Sequence, residues 1–245
     1  MKKKNESREQ LNIQLFLLCM LAALLCRRLG KISSLRIICG MLRTMIYVGV
    51  YIGWGISIYK RVIQKSVRNV LIFIAELIIF WFVVRTTKYF FTMDNQIARY
   101  LWYSYYIPML FIPVAVLQAA FFLGKSEEYR LPKWLKGVYI PTAVLVLLVL
   151  SNDLHQLVFS FPVGSAWSDS HYTYGWGYYV VLVWEVVCAL TAFVLMIYKC
   201  RHSQKKKYLP LFGIGAAVLY AVLFISGVAW VQEIGGDITA VLCLF

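Results

Sequence analysis

Three groups of residues have types and spacings that could do chemistry. The first is Asn152, Asp153 and His155, in SNDLHQLVF directly after an apolar run. Imidazole changes charge near neutral pH, so His155 beside the Asp153 carboxylate could register a ligand or a proton. The same residues also suit a plain turn, because Asn and Asp side chains bond local backbone. One His and one Asp do not make a metal site, and no metal or other cofactor is expected. The second group is aromatic. Tyr100, Trp102, Tyr103, Tyr105 and Tyr106 crowd one segment, and Trp167, Tyr172, Tyr174, Trp176, Tyr178 and Tyr179 crowd another. They read either as rings at a water–lipid boundary or as the walls of a small-molecule pocket. The third group is charged and lies inside apolar runs: Glu76, Arg85 and Glu185. Such residues are costly in a membrane and are usually paired or functional.

The elements that position these groups follow from composition. The chain is 61% hydrophobic and only 15% charged, with mean hydropathy +0.71. Soluble domains are about half apolar and a quarter charged, so the bilayer is the expected solvent. The net charge of +14 sits in short loops between apolar runs. That pattern fits orientation and lipid headgroups rather than nucleic acid, and no nucleic-acid partner is expected. A spanning helix needs about 20 apolar residues. Apolar runs cover 11–26, 37–59, 70–91, 101–124, 135–150, 178–198 and 209–231. An eighth begins at Ile238 and stops at Phe245, too short to cross as a helix. The predicted fold is all-α: a polytopic transmembrane bundle of seven spans plus a truncated eighth, in a chain that reads as C-terminally incomplete.

Charge sets the orientation. Lys60, Arg61, Lys65 and Arg68 share one loop, and Lys125, Arg130, Lys133 and Lys136 share the next but one. Lys199, Arg201, Lys205, Lys206 and Lys207 follow two loops later. By the positive-inside rule these three are cytoplasmic. From Ser151 to Gly177 there is no Lys or Arg, although the chain has 25. That segment and the loops around Asp94 and at 232–237 are expected outside, with Arg99 their one basic residue. The N-terminus fits less cleanly, because Arg27, Arg28, Lys31 and Arg36 fall outside if 11–26 spans. That run reads as an anchor, an interfacial helix or a signal-peptide core. No small-x-small cleavage site follows it, which favours an uncleaved anchor.

Depth arithmetic suggests a partner for Arg85. It lies roughly 9 Å below the outer end of its helix, and Glu185 lies roughly 10 Å below the same level. The two are expected to form either a structural ion pair or the polar floor of an outer pocket. Pro108 and Pro113 should bend the 101–124 helix. Gly49 and Gly53 form a G-x-x-x-G helix-packing pattern. Gly175 and Gly177 are expected to permit tight backbone geometry where a helix begins. The six cysteines, Cys19, Cys26, Cys39, Cys188, Cys200 and Cys243, show no C-x-x-C pair and read as small hydrophobes.

SNDLHQLVF after one run, YGWGYY opening the next and GDITAV opening the last resemble the N-terminal seven-helix sensor region of bacterial membrane histidine kinases. That family shows an Asn-x-Leu-His segment and a Tyr-Gly-x-Gly segment in one external loop. It also has an upstream proline-bearing helix, similar to IPMLFIPVAVL here. The resemblance covers 36–245, leaving 1–35 as a basic cytoplasmic tail and an extra anchor helix. Trp176 departs from it, standing where the family commonly has proline.

The resemblance implies a sensor of an external or membrane signal, in the bacterial cytoplasmic membrane, acting in two-component signal transduction. The only histidines are His155, His171 and His202, none in a phosphoacceptor context, and no Gly-rich phosphate loop occurs. The chain is therefore expected not to be an enzyme. Its expected partners are the lipid bilayer, an unidentified small-molecule or envelope signal, and a cytoplasmic output domain or protein. A homodimer is one open arrangement. The expected ligand face is Asn152, Asp153, His155, Tyr174 and Trp176, with Tyr103 and Tyr106. The alternative class is a small transporter or channel-like subunit, but neither repeated halves nor midplane helix breaks are visible.

Overall fold

The computed structural model describes residues 2–90, 95–126, 128–162 and 172–200. The runs at 209–231 and 238–245, the loop at 232–237, Asp94, Trp167, His171 and His202 lie outside the described residues. Nine helices occur among those described: α1 (Lys2–Leu29), α2 (Arg36–Arg61), α3 (Lys65–Phe90), α4 (Asn95–Tyr103), α5 (Tyr106–Phe122), α6 (Lys133–Gly137), α7 (Tyr139–Leu150), α8 (Asn152–His155) and α9 (Trp176–Cys200). A one-turn 3-10 helix, Ser33–Leu35, links α1 to α2. A two-residue antiparallel ladder pairs β1 (Phe159–Ser160) with β2 (Thr173–Tyr174), Phe159 opposite Tyr174.

Five segments are long and apolar enough to cross a membrane: Arg36–Arg61, Lys65–Tyr89, Gln96–Phe122, Lys133–Leu150 and Trp176–Cys200. At 1.5 Å per residue, 26 residues of α2 reach about 39 Å, more than the hydrocarbon thickness. Two of the five are interrupted, and the interruptions share a cause. Pro108 is the third residue of α5 and Pro141 the third residue of α7. A proline ring collides with the carbonyl four residues earlier. Those carbonyls belong to Ser104 and Gly137, where α4 and α6 end. The single helix expected over 101–124 is therefore two. The break is held by tighter bonds: the Tyr105 N–H donates to Trp102 O (3.1 Å) and the Ile107 N–H to Ser104 O (3.2 Å). Pro113, by contrast, sits inside α5 without ending it.

The helices pack in a chain of neighbours: α1 on α2, α2 on α3, α3 on α5, and α5 on α7 and α9. Helix α5 is central, with Leu110, Val114 and Ala115 fully buried. One hydrophobic cluster joins Tyr47 and Tyr51 of α2 to Ile74, Ile78 and Phe82 of α3. Polar ties cross between helices. Tyr139 Oη donates to Gln118 Oε1 (3.0 Å), Trp184 Nε1 to Thr142 Oγ1 (3.1 Å), and the Thr44 and Thr86 hydroxyls bond each other.

The outside of the bundle is apolar. Val183, Val187, Leu190 and Val194 recur at helical spacing on α9, and each is more than half exposed. A soluble helix turns such a stripe inward; here it is turned outward, as suits a lipid solvent. The Cβ positions of Gly49 and Gly53 meet nothing within 4 Å, so the G-x-x-x-G pattern makes no close packing with the described chain. The basic loops expected to be cytoplasmic gather at one end of the bundle. Gln64 Nε2 donates to Ser126 O (3.2 Å), bringing the α2–α3 and α5–α6 connections together. At the same end Lys199 Nζ donates to Ala120 O (2.9 Å) and Phe121 O (2.6 Å), a cation on the last carbonyls of α5. The loop without Lys or Arg lies at the other end.

Candidate functional site

At that second end, α7 finishes at Leu150, and the Ser151 hydroxyl donates back to Leu147 O (2.7 Å). Helix α8 then makes one turn and is closed by Gln156 in the left-handed conformation (φ 49°). This reverses the chain and sets residues 157–159 beside the side chain of Asn152. The Asn152 amide is fully buried, and every group on it is used. Its Oδ1 accepts from Val158 N–H (2.9 Å) and Phe159 N–H (3.0 Å). Its Nδ2 donates to Phe159 O (2.8 Å) and Tyr103 Oη (3.2 Å). Two backbone donors facing one atom fix which end of the amide is oxygen.

Tyr103 extends the network. Its hydroxyl accepts from Asn152 and donates to Asp153 Oδ1 (2.7 Å). The other carboxylate oxygen pairs with Arg99 Nη2 (2.8 Å). Helix α4 thus contributes Arg99 and Tyr103, and α8 contributes Asn152 and Asp153. Their charge-assisted bonds are the strong kind. His155 braces the turn from the other side. Its Nδ1 accepts from Leu157 N–H (3.0 Å), so that nitrogen carries no proton. Its Nε2 lies 3.1 Å from Leu148 O, which can only accept, so Nε2 carries the proton. Both ring nitrogens are therefore spent on the α7–α8 corner.

The start of α9 is joined to this turn by backbone hydrogen bonds. Gly175 N–H donates to Val158 O (2.9 Å) and Gly177 N–H to Leu157 O (3.0 Å). A Cβ at Gly175 would sit 2.1 Å from Leu157 O, and one at Gly177 would sit 3.0 Å from it. The two glycines are needed for close approach of backbone to backbone, the tight geometry expected of them. The Asn-x-Leu-His and Tyr-Gly-x-Gly segments are two halves of one latch.

Aromatic rings fill the space around it. Phe159 is fully buried, with ring centroids of Trp102 at 4.6 Å, Tyr172 at 5.4 Å, Tyr106 at 5.6 Å and Tyr178 at 6.0 Å. Tyr174 stacks on Tyr178 at 4.0 Å. The expected ligand residues divide by depth. Asn152, Tyr103 and Tyr106 are buried, Asp153 and His155 are half-buried, and Tyr174 and Trp176 are 49% and 61% exposed. The structure brings Asn152, Asp153 and Tyr103 into direct contact, and sets Tyr106 and Tyr174 around the same phenylalanine. Sequence reasoning missed Phe159, the hub of the cluster, and gave Arg99 no partner. Arg99 had a signal, as the one basic residue expected in the outer loops. Phe159 had none beyond closing the SNDLHQLVF segment.

The expected contact between Arg85 and Glu185 is not made. Helices α3 and α9 both pack on α5 rather than on one another. Arg85 turns toward α2, its guanidinium 5.5 Å from the Trp81 ring, while Glu185 lies within electrostatic range of Tyr106 and Tyr178. Equal depth fixes height in a bundle but not direction around each helix axis. In a double-mutant cycle, Arg85→Met and Glu185→Gln should therefore be additive to within about 0.5 kcal/mol. Coupling of several kcal/mol in detergent-solubilised protein would show that they meet.

No curated protein and no solved structure matches the chain. Residues 37–245 match the family described as the N-terminal 7TM region of histidine kinase, in agreement with the resemblance carried by the two latch segments. That region is the sensor part of such proteins and not their catalytic domain, and the spans and lipid-facing surface described above make this a multi-pass membrane protein. The chain belongs to the N-terminal 7TM region of histidine kinase family, as a membrane-embedded helical sensor region.

Proposed function

We propose that the sensing face is the rim formed by Tyr174, Trp176, Asp153 and His155, set above Asn152, Tyr103 and Tyr106. A small molecule or envelope-derived signal engages it from outside. One observation carries this reading: exposed aromatic groups stand on a hydrogen-bonded polar latch that joins α4, α8 and the start of α9. A ligand that binds the rim better in one packing of these helices shifts the bundle toward that packing. The absence of Lys and Arg from 151–177 and their concentration at the opposite end support an external rim and a cytoplasmic basic end.

In this reading residues 36–245 are the sensor domain, with further spans at 209–231 and from Ile238. Residues 1–35 add a tail and an anchor; the exposed Leu15, Leu18 and Leu21 of α1 support its embedding in lipid. The shift in packing passes to a cytoplasmic output domain or protein, in a homodimer. A fusion of the chain to a complete kinase output tests the rim. Trp176→Ala and Tyr174→Ala should move the stimulus threshold of phosphotransfer several-fold at unchanged membrane abundance. Lower abundance with an unmoved threshold would leave the rim a purely structural feature.

A further inference from the structure

A second polar feature lies apart from the latch, between α2 and α3. Arg36, Arg43 and Arg85 line one cavity of about 210 Å³, with Thr44, Tyr47, Phe82, Thr86 and Tyr89. No carboxylate pairs with any of the three arginines among the described residues. Arg43 and Arg85 are half-buried, so their charge is only partly hydrated. Three guanidiniums around one space repel each other unless an anion sits among them. The walls are fixed: Tyr47 stacks on Phe82 at 5.0 Å, Arg85 lies over Trp81, and the bonded Thr44 and Thr86 hydroxyls hold α2 to α3.

The placement is also unusual in charge. Lys88 of α3 lies 5.8 Å from the Tyr105 ring, beside α4, so this end of α3 is the latch end of the bundle. The 151–177 loop at this end carries no Lys or Arg, yet Arg36, Arg43 and Arg85 gather here. The positive-inside rule does not account for this group of arginines at the outer end.

We propose that this cavity binds a phosphate group. A carboxylate satisfies one guanidinium fork, whereas a phosphate offers enough oxygens for three. The volume is below the roughly 300 Å³ minimum of drug-sized pockets, so it fits a single group rather than a whole large ligand. Depth agrees with a group at the membrane surface. Arg43 lies seven residues into α2 and Arg85 five residues before the end of α3, each about 8–10 Å along its helix. Long arginine side chains cover the remaining distance to the headgroup layer. The group is either the phosphodiester of an anionic lipid or a soluble phosphate.

The test uses the full chain in a phosphate-free maltoside detergent. Thermal midpoint and native mass spectrometry are measured in detergent alone, with added phosphatidylglycerol, and with inorganic phosphate. Stabilisation and retained lipid only with phosphatidylglycerol assign the site to a lipid headgroup; stabilisation by inorganic phosphate assigns it to a soluble group. In either case Arg43→Gln with Arg85→Gln should weaken binding by a factor of about 100, and Arg43→Lys with Arg85→Lys by about 10, since lysine keeps charge but loses the fork. If the glutamine variant does not fold, the lysine variant decides. No gain from either phosphate source, or a gain that the variants leave unchanged, overturns the proposal.

Discussion

Gly175→Ala should cost about 4 kcal/mol and strip the sensor region of a stable outer end. The added methyl would lie 2.1 Å from the Leu157 carbonyl oxygen, and a backbone oxygen cannot swing aside as a side chain can. Relief requires α9 to move away from the turn. That breaks the bonds from Gly175 N–H to Val158 O and from Gly177 N–H to Leu157 O. Two lost backbone bonds at about 1 kcal/mol each, with an overpacking cost of about 2 kcal/mol, give the total. Gly177→Ala meets the same oxygen at 3.0 Å and should cost about 1–2 kcal/mol. Gly53→Ala meets nothing and should be neutral or stabilising by up to about 1 kcal/mol. Thermal unfolding in detergent should rank the three in that order. Equal effects at Gly175 and Gly53 would show that the latch does not close as described.

Asn152→Ala should be nearly as damaging, at about 3–5 kcal/mol. It removes the acceptor from the buried Val158 and Phe159 N–H groups and the donor from Phe159 O. Each orphaned buried group costs about 1–3 kcal/mol, and a small cavity adds to that. Asn152→Asp separates the two halves of the amide. It keeps the two backbone N–H bonds but turns an oxygen toward Phe159 O and Tyr103 Oη. The Tyr103 hydroxyl already donates to Asp153, so it has no second proton to give. Asp at this position should therefore also destabilise, although it conserves shape. A wild-type unfolding midpoint for Asn152→Asp would mean that the Nδ2 bonds contribute nothing.

Much of this protein was legible in its residues, because a bilayer leaves few solutions. Backbone polar groups in hydrocarbon must be paired within the helix, so the apolar runs at 37–59, 70–91 and 178–198 could only be helices. Composition required lipid, and short motifs pointed to the family. The clearing of Lys and Arg from 151–177 marked one loop as different from the others. The position of Pro108 also carried more than was drawn from it, since a ring that clashes four residues back places the break at Ser104.

The tertiary structure alone decided who meets whom. Height in the membrane follows from counting residues, but direction around a helix depends on which neighbours pack there. That is why Arg85 and Glu185, matched in depth, face different helices, and why Arg85 instead joins Arg36 and Arg43. It is also why Asn152, an ordinary turn residue by type, serves as the centre of a latch. Its four partners come from positions 103, 158 and 159, and only the reversal at Gln156 brings them together. The glycines needed that reversal too: the contact that makes them necessary is with Leu157, a residue whose backbone no local pattern places against the start of α9.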